Sequence, residues 1–309
     1  LVAFDRAIKD MEMGIIDKAI VGGLSLNLRP KMSKAFLEYN MLSPTGKCKS
    51  FDSAADGYCR SEAIGIVIIE KNPKEGGYSY VMATGTNSDG FTSKGITYPG
   101  IDSQISLAKN VLEKSGLKKE DIEYVEAHGT GTVAGDNIEI TALDKIYGSN
   151  DKTIKLGSIK SNMGHAEGAS GIMSLIKVLI MYEKNEVPPN LHFNETPHKP
   201  ILENRFKVIT EKSKWNAGYV SINNFGFGGS NAHVILGKGT CKYAPKTIVN
   251  KYYIYGNSID SIKNITPTKY LEQRHSNKFL YKYRGVVNNK KISSNKLKKI
   301  NPNVVFVFS

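Results

Sequence analysis

The chain has 309 residues, a formal net charge of +13, a hydrophobic content of 40% and an aromatic content of 9%. This length and composition are typical of a folded protein with one large domain or two smaller ones, and they exclude an intrinsically disordered chain. Its cysteines are too few for a disulfide framework and lack metal-ligand spacing (Cys48, Cys59 and Cys241). We therefore expect reduced thiols and a cytoplasmic protein. The longest apolar stretch, GIMSLIKVLIMY, is too short to span a bilayer, so no membrane partner is expected.

The net positive charge comes from one part of the chain. Residues 238–300 contain 15 Lys or Arg and 2 Asp or Glu, whereas residues 1–237 contain 27 of each sign. The basic segment is rich in Lys, Asn and Tyr without the patterning of a nucleic-acid surface. This distribution favours a solvated linker over a nucleic-acid patch, and it places a domain boundary near Lys238.

The first half of the chain begins with a helix and continues with strands. Apolar residues at helical spacing predict a helix from Leu1 to Met13. Asp102 and Ser103 can cap a further helix that ends at Gly116. Between these helices, three apolar runs predict buried strands: DKAIVGGLSL, EAIGIVIIEK and YSYVMATGTNSD.

Strands and helices then alternate. DIEYVEA predicts a strand that ends at His128, Asp136 is expected to cap the next helix, and this helix stops near Gly148. The following segments predict a strand (TIKLGSI), a loop (KSNMGHAEG), a buried helix (ASGIMSLIKVLIMYEKN) and two strands (AGYVSINNF and NAHVIL). This alternation indicates an α/β layered fold.

Three loops of similar design carry the candidate chemistry. Each follows a predicted strand and combines small residues with polar side chains: HGTGT at 128–132, KSNMGH at 160–165 and NFGFGGSN at 224–231. Loops that leave the same edge of an α/β sheet converge on a ligand crevice. His128 and His165 could then donate two hydrogen bonds to one oxygen, as in an oxyanion hole.

Other interpretations of these residues remain open at this point. GTGTVAG does not have the G-x-G-x-x-G spacing of a dinucleotide loop. A zinc site would need a third ligand besides His128 and His165; the candidates have no tight metal-ligand spacing (His192, His198 and His233). Any single histidine is as well explained by a structural hydrogen bond as by catalysis.

Four segments resemble β-ketoacyl synthase domains, especially those of modular or iterative type I polyketide synthases. They are EAHGTGTVAGD, GSIKSNMGHAEGASG, NNFGFGGSNAHVIL and FDSAADGYCRSEAIGIVI, and they occur in the family's order within residues 1–236. The resemblance implies a thiolase-like fold and a condensing acyltransferase that performs a decarboxylative Claisen condensation. A fatty acid synthase ketosynthase is the related alternative.

The resemblance also implies roles for individual residues. His128 and His165 would hydrogen-bond the malonyl thioester carbonyl and stabilise the enolate. Lys160 would organise the polar cluster. The remaining matches concern substrate binding and its support: Thr130 and Thr132 would contact the pantetheine arm, Phe227 would act as a gatekeeper whose main-chain N–H helps form the oxyanion hole, and Asn231 would brace that turn.

In this family a cysteine in a DTACSSS-type motif carries the acyl group, and that motif would lie a few residues upstream of Leu1. None of the chain's own cysteines has the neighbours of such a nucleophile. We therefore expect a ketosynthase that is truncated at both ends and that is inactive for condensation on its own. The alternative is a non-condensing remnant that at most binds pantetheine-linked acyl groups.

The expected domain organisation follows from the same resemblance. Residues 1–237 would be the ketosynthase without its N-terminal part, 238–300 the basic linker, and 301–309 (NPNVVFVFS predicts a strand) the start of an acyltransferase domain. The expected partners are an acyl carrier protein, an acyltransferase in the same polypeptide and a second copy through an incomplete dimer interface. No cofactor or metal is expected to bind directly, because the substrates travel on the carrier's phosphopantetheine.

Overall fold

The computed structural model describes residues 1–240, except 75, 92–94, 96, 97 and 217, together with the backbone of three strands between 252 and 296. The chain divides into two units, of which the first contains Leu1–Cys241 and the second Lys242–Val307. Within the described residues, no helix has both the length and the hydropathy needed to cross a bilayer.

The first unit alternates strands and helices along the chain. Its helices are α1 (Val2–Glu12), α2 (Pro30–Glu38), α3 (Ile101–Ser115), α4 (Val133–Tyr147), α5 (Lys160–Met163), α6 (Glu167–Lys184) and α7 (Lys199–Leu202). Its strands are β1 (Lys18–Ser25), β2 (Ala63–Glu70), β3 (Ser79–Ser88), β4 (Ile122–Glu126), β5 (Ile154–Gly157), β6 (Glu186–Val187), β7 (Phe206–Val208), β8 (Ser213–Lys214), β9 (Tyr219–Phe225) and β10 (Ser230–Lys238).

A six-stranded sheet in the order β3-β10-β9-β4-β5-β7 forms the centre of this unit. β9, β4, β5 and β7 run parallel to one another, and β10 pairs antiparallel with both β3 and β9. One face packs against α1 and α6 in a core that includes Val220, Ile222 and Val234. The other face packs against α3 and α4 in a core that includes Val125, Leu156 and Ile235. Burial on both faces explains why these strands are short, nearly continuous apolar runs.

β1 and β2 form a separate antiparallel pair on the far side of α6. Glycines bring this pair close to the helix: a Cβ on Gly23 would approach the main chain of Ala169 to 3.1 Å, and one on Gly65 would clash with the Met173 side chain. The prediction that both strands are buried is wrong. On the face turned away from α6, five large apolar side chains are exposed within the part of the chain that the structure describes: Ile20, Leu24, Ile64, Ile66 and Ile68.

Two predicted caps are wrong, and one predicted loop is partly helical. Helix α3 starts after Gly100, and the Ser103 hydroxyl bonds Asp89 and the Gly100 carbonyl instead of capping the helix. Helix α4 starts after Thr132, which puts Asp136 inside its first turn. The KSNMGHAEG segment contains the short helix α5 and the start of α6.

In the second unit, β11 (Tyr252–Gly256), β12 (Tyr283–Asn288) and β13 (Lys291–Lys296) form an antiparallel sheet in that order. The basic segment predicted as a linker at 238–300 therefore contains strands. The predicted strand NPNVVFVFS, at 301–309, lies outside the described residues.

Candidate active site

The three predicted loops line one cavity of about 570 Å³ in the first unit. Two of them follow the adjacent parallel strands β4 and β5, and the third joins β9 to β10. Because parallel strands end at the same edge of the sheet, the loops meet there, as the sequence predicts. The cavity is lined by six of the seven predicted site residues: His128, Thr130, Thr132, His165, Phe227 and Asn231.

His128 is fixed by its ring and by its main chain. Its Nδ1 accepts the main-chain N–H of Phe225 at 3.3 Å, and its own N–H donates to Glu139 Oε1 at 2.8 Å. A neutral imidazole whose Nδ1 accepts a hydrogen bond carries its proton on Nε2. Nε2 of His128 is therefore a donor.

His165 shows the same arrangement on the other loop. Its Nδ1 accepts the main-chain N–H of Glu167 at 3.1 Å, so Nε2 again carries the proton. The main chain of His165 is held between two residues of the neighbouring segment: its N–H donates to Cys59 O at 2.7 Å, and its carbonyl accepts the N–H of Ser61 at 3.0 Å.

The two imidazoles lie next to each other, with ring centroids 5.4 Å apart and planes at 86°. Burial is the main cause that lowers the pKa of both His128 and His165 well below the ordinary value, and the charge of Lys160 adds to it. Both rings are therefore neutral at physiological pH. Two neutral Nε2–H donors in one cavity can serve one oxygen on which negative charge develops.

Lys160 does not line the cavity but lies buried behind it, with only 1% of its surface exposed. Among the residues that the structure describes, its Nζ has no hydrogen-bond partner. Burial lowers the pKa of Lys160, and the carboxylates of Glu126, Glu139 and Asp136 oppose that shift. Lys160 thus lies in the polar cluster without a fixed hydrogen bond, and the nearby acidic side chains favour its charged form.

Two buried carboxylates that the sequence analysis did not assign to the site anchor the His128 loop. Glu139 accepts the N–H groups of His128 and Gly129, both at 2.8 Å, and the side-chain amide of Asn223 at 2.8 Å. Asp136 accepts the N–H groups of Phe51 at 2.7 Å and Gly131 at 3.2 Å, and burial raises its pKa to about 7. Their i, i+3 spacing in GDNIE, with both on one side of α4, is the signal that could have identified them.

Thr130 and Thr132 lie side by side, with their hydroxyl oxygens 3.1 Å apart. Both line the cavity. Between them, Gly131 has a φ of +82°, and a Cβ there would approach the main-chain N of Lys49 to 2.6 Å. The loop can therefore pack against the 48–58 segment only with glycine at this position.

Gly131→Ala is expected to destabilise the chain by about 1–3 kcal/mol more than Gly14→Ala, because it adds overpacking to the strain of a positive φ. Gly14 is the matched control, since its φ is +72° and a Cβ there would meet nothing within 4 Å. Urea unfolding of both variants measures the difference. Equal losses of unfolding free energy in the two variants would show that the chain accommodates the added Cβ next to Lys49 at no cost.

Phe227 lies on the turn between β9 and β10, and Asn231 lies at the start of β10. Phe227 is 55% exposed, and its ring packs edge-on against Phe36 with centroids 6.0 Å apart. Asn231 is buried and donates to Asp89 Oδ1 at 2.6 Å, and Asp89 in turn donates its main-chain N–H to Gly229 at 2.8 Å. Asn231 thus reaches the turn through Asp89.

Among the described residues, the other histidines do not join the pair in a metal site, and no group of three His, Cys, Asp or Glu there could hold a metal ion. His233 is buried on β10, where its ring contacts the Asn223 side chain at 2.7 Å and the Tyr147 hydroxyl at 3.1 Å. Burial lowers the pKa of His233 to about 3. Its role is the structural one.

Neither described cysteine lines the cavity. Cys48 is buried, which raises the pKa of its thiol to about 11 and makes it a poor nucleophile. Cys59 is partly buried next to it and donates its N–H to Cys48 Sγ at 3.2 Å. Cys241 lies outside the described residues.

The buried neutral histidines predict acid sensitivity of the fold. Their folded pKa values are lowered, so at these two positions the unfolded chain binds more protons below pH 6.5, and the contribution of the pair to the unfolding free energy is expected to fall as the pH drops through that range. Asp136, whose pKa is raised to about 7, contributes with the opposite sign. His165→Gln should flatten this dependence by up to one proton, about 1.4 kcal/mol per pH unit. Urea titrations between pH 5 and 7.5 measure both slopes; identical slopes would contradict a neutral buried His165.

Family models match three consecutive parts of the chain. The Beta-ketoacyl synthase, N-terminal domain, matches residues 1–75, and the Beta-ketoacyl synthase, C-terminal domain, matches residues 78–194. The chain belongs to the β-ketoacyl synthase family. A third model, the Ketoacyl-synthetase C-terminal extension, matches residues 196–294.

The relatives of this ketosynthase chain are polyketide synthases. It is 41% identical over 245 residues to a highly reducing polyketide synthase of Alternaria alternata, and the match covers 76% of this chain and 9% of that protein. It is 37% identical over 250 residues to a phenolphthiocerol/phthiocerol polyketide synthase of Mycobacterium tuberculosis, covering 78% of this chain and 16% of that protein. The chain thus spans a small part of these relatives.

Solved ketosynthase structures share the fold. The oxazolomycin ketosynthase domain OzmH KS7 of Streptomyces albus superimposes with a TM-score of 0.74 at 29% identity, covering 93% of this chain and 55% of that one. The ketosynthase from module 6 of the bacillaene synthase of Bacillus subtilis gives 0.74 at 28% identity, covering 94% and 56%. The mixed α/β layers around the six-stranded sheet are therefore the thiolase-like fold that the sequence predicts.

Proposed function

We propose that this chain is the part of a polyketide synthase ketosynthase that decarboxylates a malonyl-type unit during Claisen condensation. The observation that carries the proposal is the histidine pair: His128 and His165 each have Nδ1 occupied by a main-chain N–H, and their rings lie 5.4 Å apart in one cavity. Both Nε2–H groups then remain to hold one thioester oxygen.

In the proposed reaction, the bond between the malonyl α-carbon and its carboxylate breaks and carbon dioxide leaves. The electron pair moves into an enolate whose oxygen accepts hydrogen bonds from Nε2 of His128 and His165. The enolate carbon then attacks the acyl thioester on a cysteine, forming the new carbon–carbon bond and releasing the thiolate. Neutral donors suit this step, because they stabilise the charge that develops without having to give up a proton.

The malonyl-type unit is proposed to arrive on the phosphopantetheine arm of an acyl carrier protein. Two adjacent hydroxyls on the cavity wall, those of Thr130 and Thr132, can bond the amides of such an arm. Phe227 lies half-exposed on the same wall, where it can gate access, and its main-chain N–H would serve the acyl thioester oxygen. No directly bound cofactor or metal is required by this chemistry.

The acyl-carrying cysteine is proposed to lie in the polypeptide segment that leads into helix α1. The observation in favour is that Leu1 and Val2, at the N-terminal end of α1, line the same cavity as the histidine pair. A helix N-terminus lowers the pKa of a thiol placed there, which the buried Cys48 cannot match. We therefore propose that condensation requires the whole polypeptide and not this chain alone.

The wider assembly is proposed from the family. Residues 1–237 would form the ketosynthase, 238–300 its connection, and 301–309 the beginning of an acyltransferase in the same cytoplasmic polypeptide, with a second copy completing a dimer. Reading the coding sequence before Leu1 tests the nucleophile: a DTACSSS-like stretch in frame supports a working enzyme, whereas a stop codon would support a non-condensing remnant.

The activity itself is tested with the whole polypeptide, an acyl thioester primer and a malonyl-loaded acyl carrier protein. Mass spectrometry of the carrier should show a β-ketoacyl product and loss of carbon dioxide. Binding of the malonyl carrier without either change would contradict condensation and favour the remnant.

A further inference from the structure

We propose that Arg60 is a positioning residue that orients the imidazole of His165 through Glu167. This inference rests on the proposed function. Arg60 belongs to the segment between the short α2 and β2, which does not contribute a catalytic histidine.

The guanidinium of Arg60 is held on every side. Its Nε and one terminal nitrogen donate to the two carboxylate oxygens of Glu167 at 2.6 and 2.9 Å, which is the bidentate geometry specific to arginine. The other terminal nitrogen donates to the Ser33 hydroxyl at 2.6 Å. The Phe36 ring lies 5.5 Å from the guanidinium carbon. The Arg60 side chain is consequently only 11% exposed.

Glu167 connects the Arg60 side chain to the imidazole of His165. The main-chain N–H of Glu167 lies in the first turn of α6, where such groups have no partner within the helix. It donates instead to His165 Nδ1 at 3.1 Å. The φ of Glu167 is +34°, which residues with side chains rarely adopt. Contacts around Glu167 must hold this conformation, and the two hydrogen bonds from Arg60 to its side chain are charge-assisted. The Tyr58 hydroxyl also bonds the Glu167 side chain.

The main chain of His165 is held separately from the Arg60 side chain. Cys59 and Ser61, on either side of Arg60, make two backbone hydrogen bonds with His165. Loss of the guanidinium therefore leaves the His165 loop in place but frees the Glu167 side chain. The hydrogen bond from the Glu167 N–H to His165 Nδ1, which keeps the proton on Nε2, is then expected to weaken. This separation predicts an effect on catalysis without a large effect on folding.

The matched control is Arg205, which makes the same bidentate contact with Asp144, at 2.6 and 2.9 Å, away from the cavity. The Arg205 side chain is 17% exposed, close to that of Arg60. In the whole polypeptide, Arg60→Lys is expected to lower kcat for malonyl decarboxylation about tenfold with KM within about twofold. Arg205→Lys should leave both unchanged while lowering Tm by a similar amount.

A second readout does not depend on activity. Long-range ¹H–¹⁵N spectra of the ¹⁵N-histidine-labelled chain report the tautomer of each ring, with the His165 signals assigned by their loss in His165→Gln. Wild type should show the Nε2–H form at His165, and Arg60→Lys or Glu167→Gln should add the Nδ1–H form. A wild-type polypeptide without decarboxylation would overturn the proposed function alone. Unchanged His165 signals in both variants would overturn the role of Arg60.

Discussion

His128→Ala is expected to lower the rate of malonyl decarboxylation by about 100- to 1,000-fold, the usual effect of removing one oxyanion donor. The reason is geometric: Nε2 of His128 is one of two donors directed to a single cavity, and the neighbouring His165 can replace neither its position nor its proton. The measurement is carbon dioxide release from a malonyl-loaded carrier protein by the whole polypeptide, with kcat and KM determined separately. The loss should fall on kcat, because the bond strengthens as the enolate forms.

The control for this variant is His192→Asn. His192 lies outside the cavity and has a φ of +60°, which asparagine tolerates. Its decarboxylation rate should equal that of the wild type. A His128→Ala enzyme that decarboxylates at the wild-type rate would show that this imidazole has been assigned the wrong role, whatever the effect on condensation.

Glu139→Gln is expected to destabilise the chain by about 2–4 kcal/mol and also to impair decarboxylation. Glu139 is buried and accepts N–H groups on both oxygens: those of His128 and Asn223 on one, and that of Gly129 on the other. Glutamine keeps the shape but has one accepting oxygen, so its NH₂ group must face an N–H donor. The His128 loop would then lose the contact that fixes its backbone.

Urea unfolding and carbon dioxide release measure the two consequences of Glu139→Gln. Glu195→Gln is the control, because Glu195 is exposed and its carboxylate accepts only the Ser53 hydroxyl among the bonds of the described side chains. It should change the unfolding free energy by less than about 0.5 kcal/mol. A Glu139→Gln chain as stable and active as the wild type would mean that the loop is anchored without this carboxylate.

The central strands and the convergence of the three loops could be predicted because local patterns determine them. Apolar runs predict the strands β4, β5 and β9. The glycines and polar side chains that follow each run predict where the strand ends and the loop at the sheet edge begins. The histidine tautomers could not be predicted in this way. They depend on the N–H groups of Phe225 and Glu167, and only the folded chain brings the first of these next to His128.

The wrong predictions, which concern the burial of β1 and β2 and the helix cap at Asp136, have a common physical origin. The sequence of an apolar run or the presence of an acidic residue does not determine which distant residues it contacts. Ile20 and Ile66 alternate with buried neighbours, yet they point away from α6 and are exposed. Asp136 has the composition of a cap, but its carboxylate accepts N–H groups from Phe51 and Gly131 instead of capping α4. Long-range contacts decided both cases.

A crystal structure of the whole polypeptide with a non-hydrolysable malonyl-pantetheine analogue would test the central claim most directly. The thioester-equivalent carbonyl oxygen is predicted to lie about 3 Å from Nε2 of both His128 and His165, with the arm along Thr130 and Thr132. A carbonyl oxygen bound away from either imidazole, or rings turned so that Nδ1 faces the ligand, would contradict the two-histidine site.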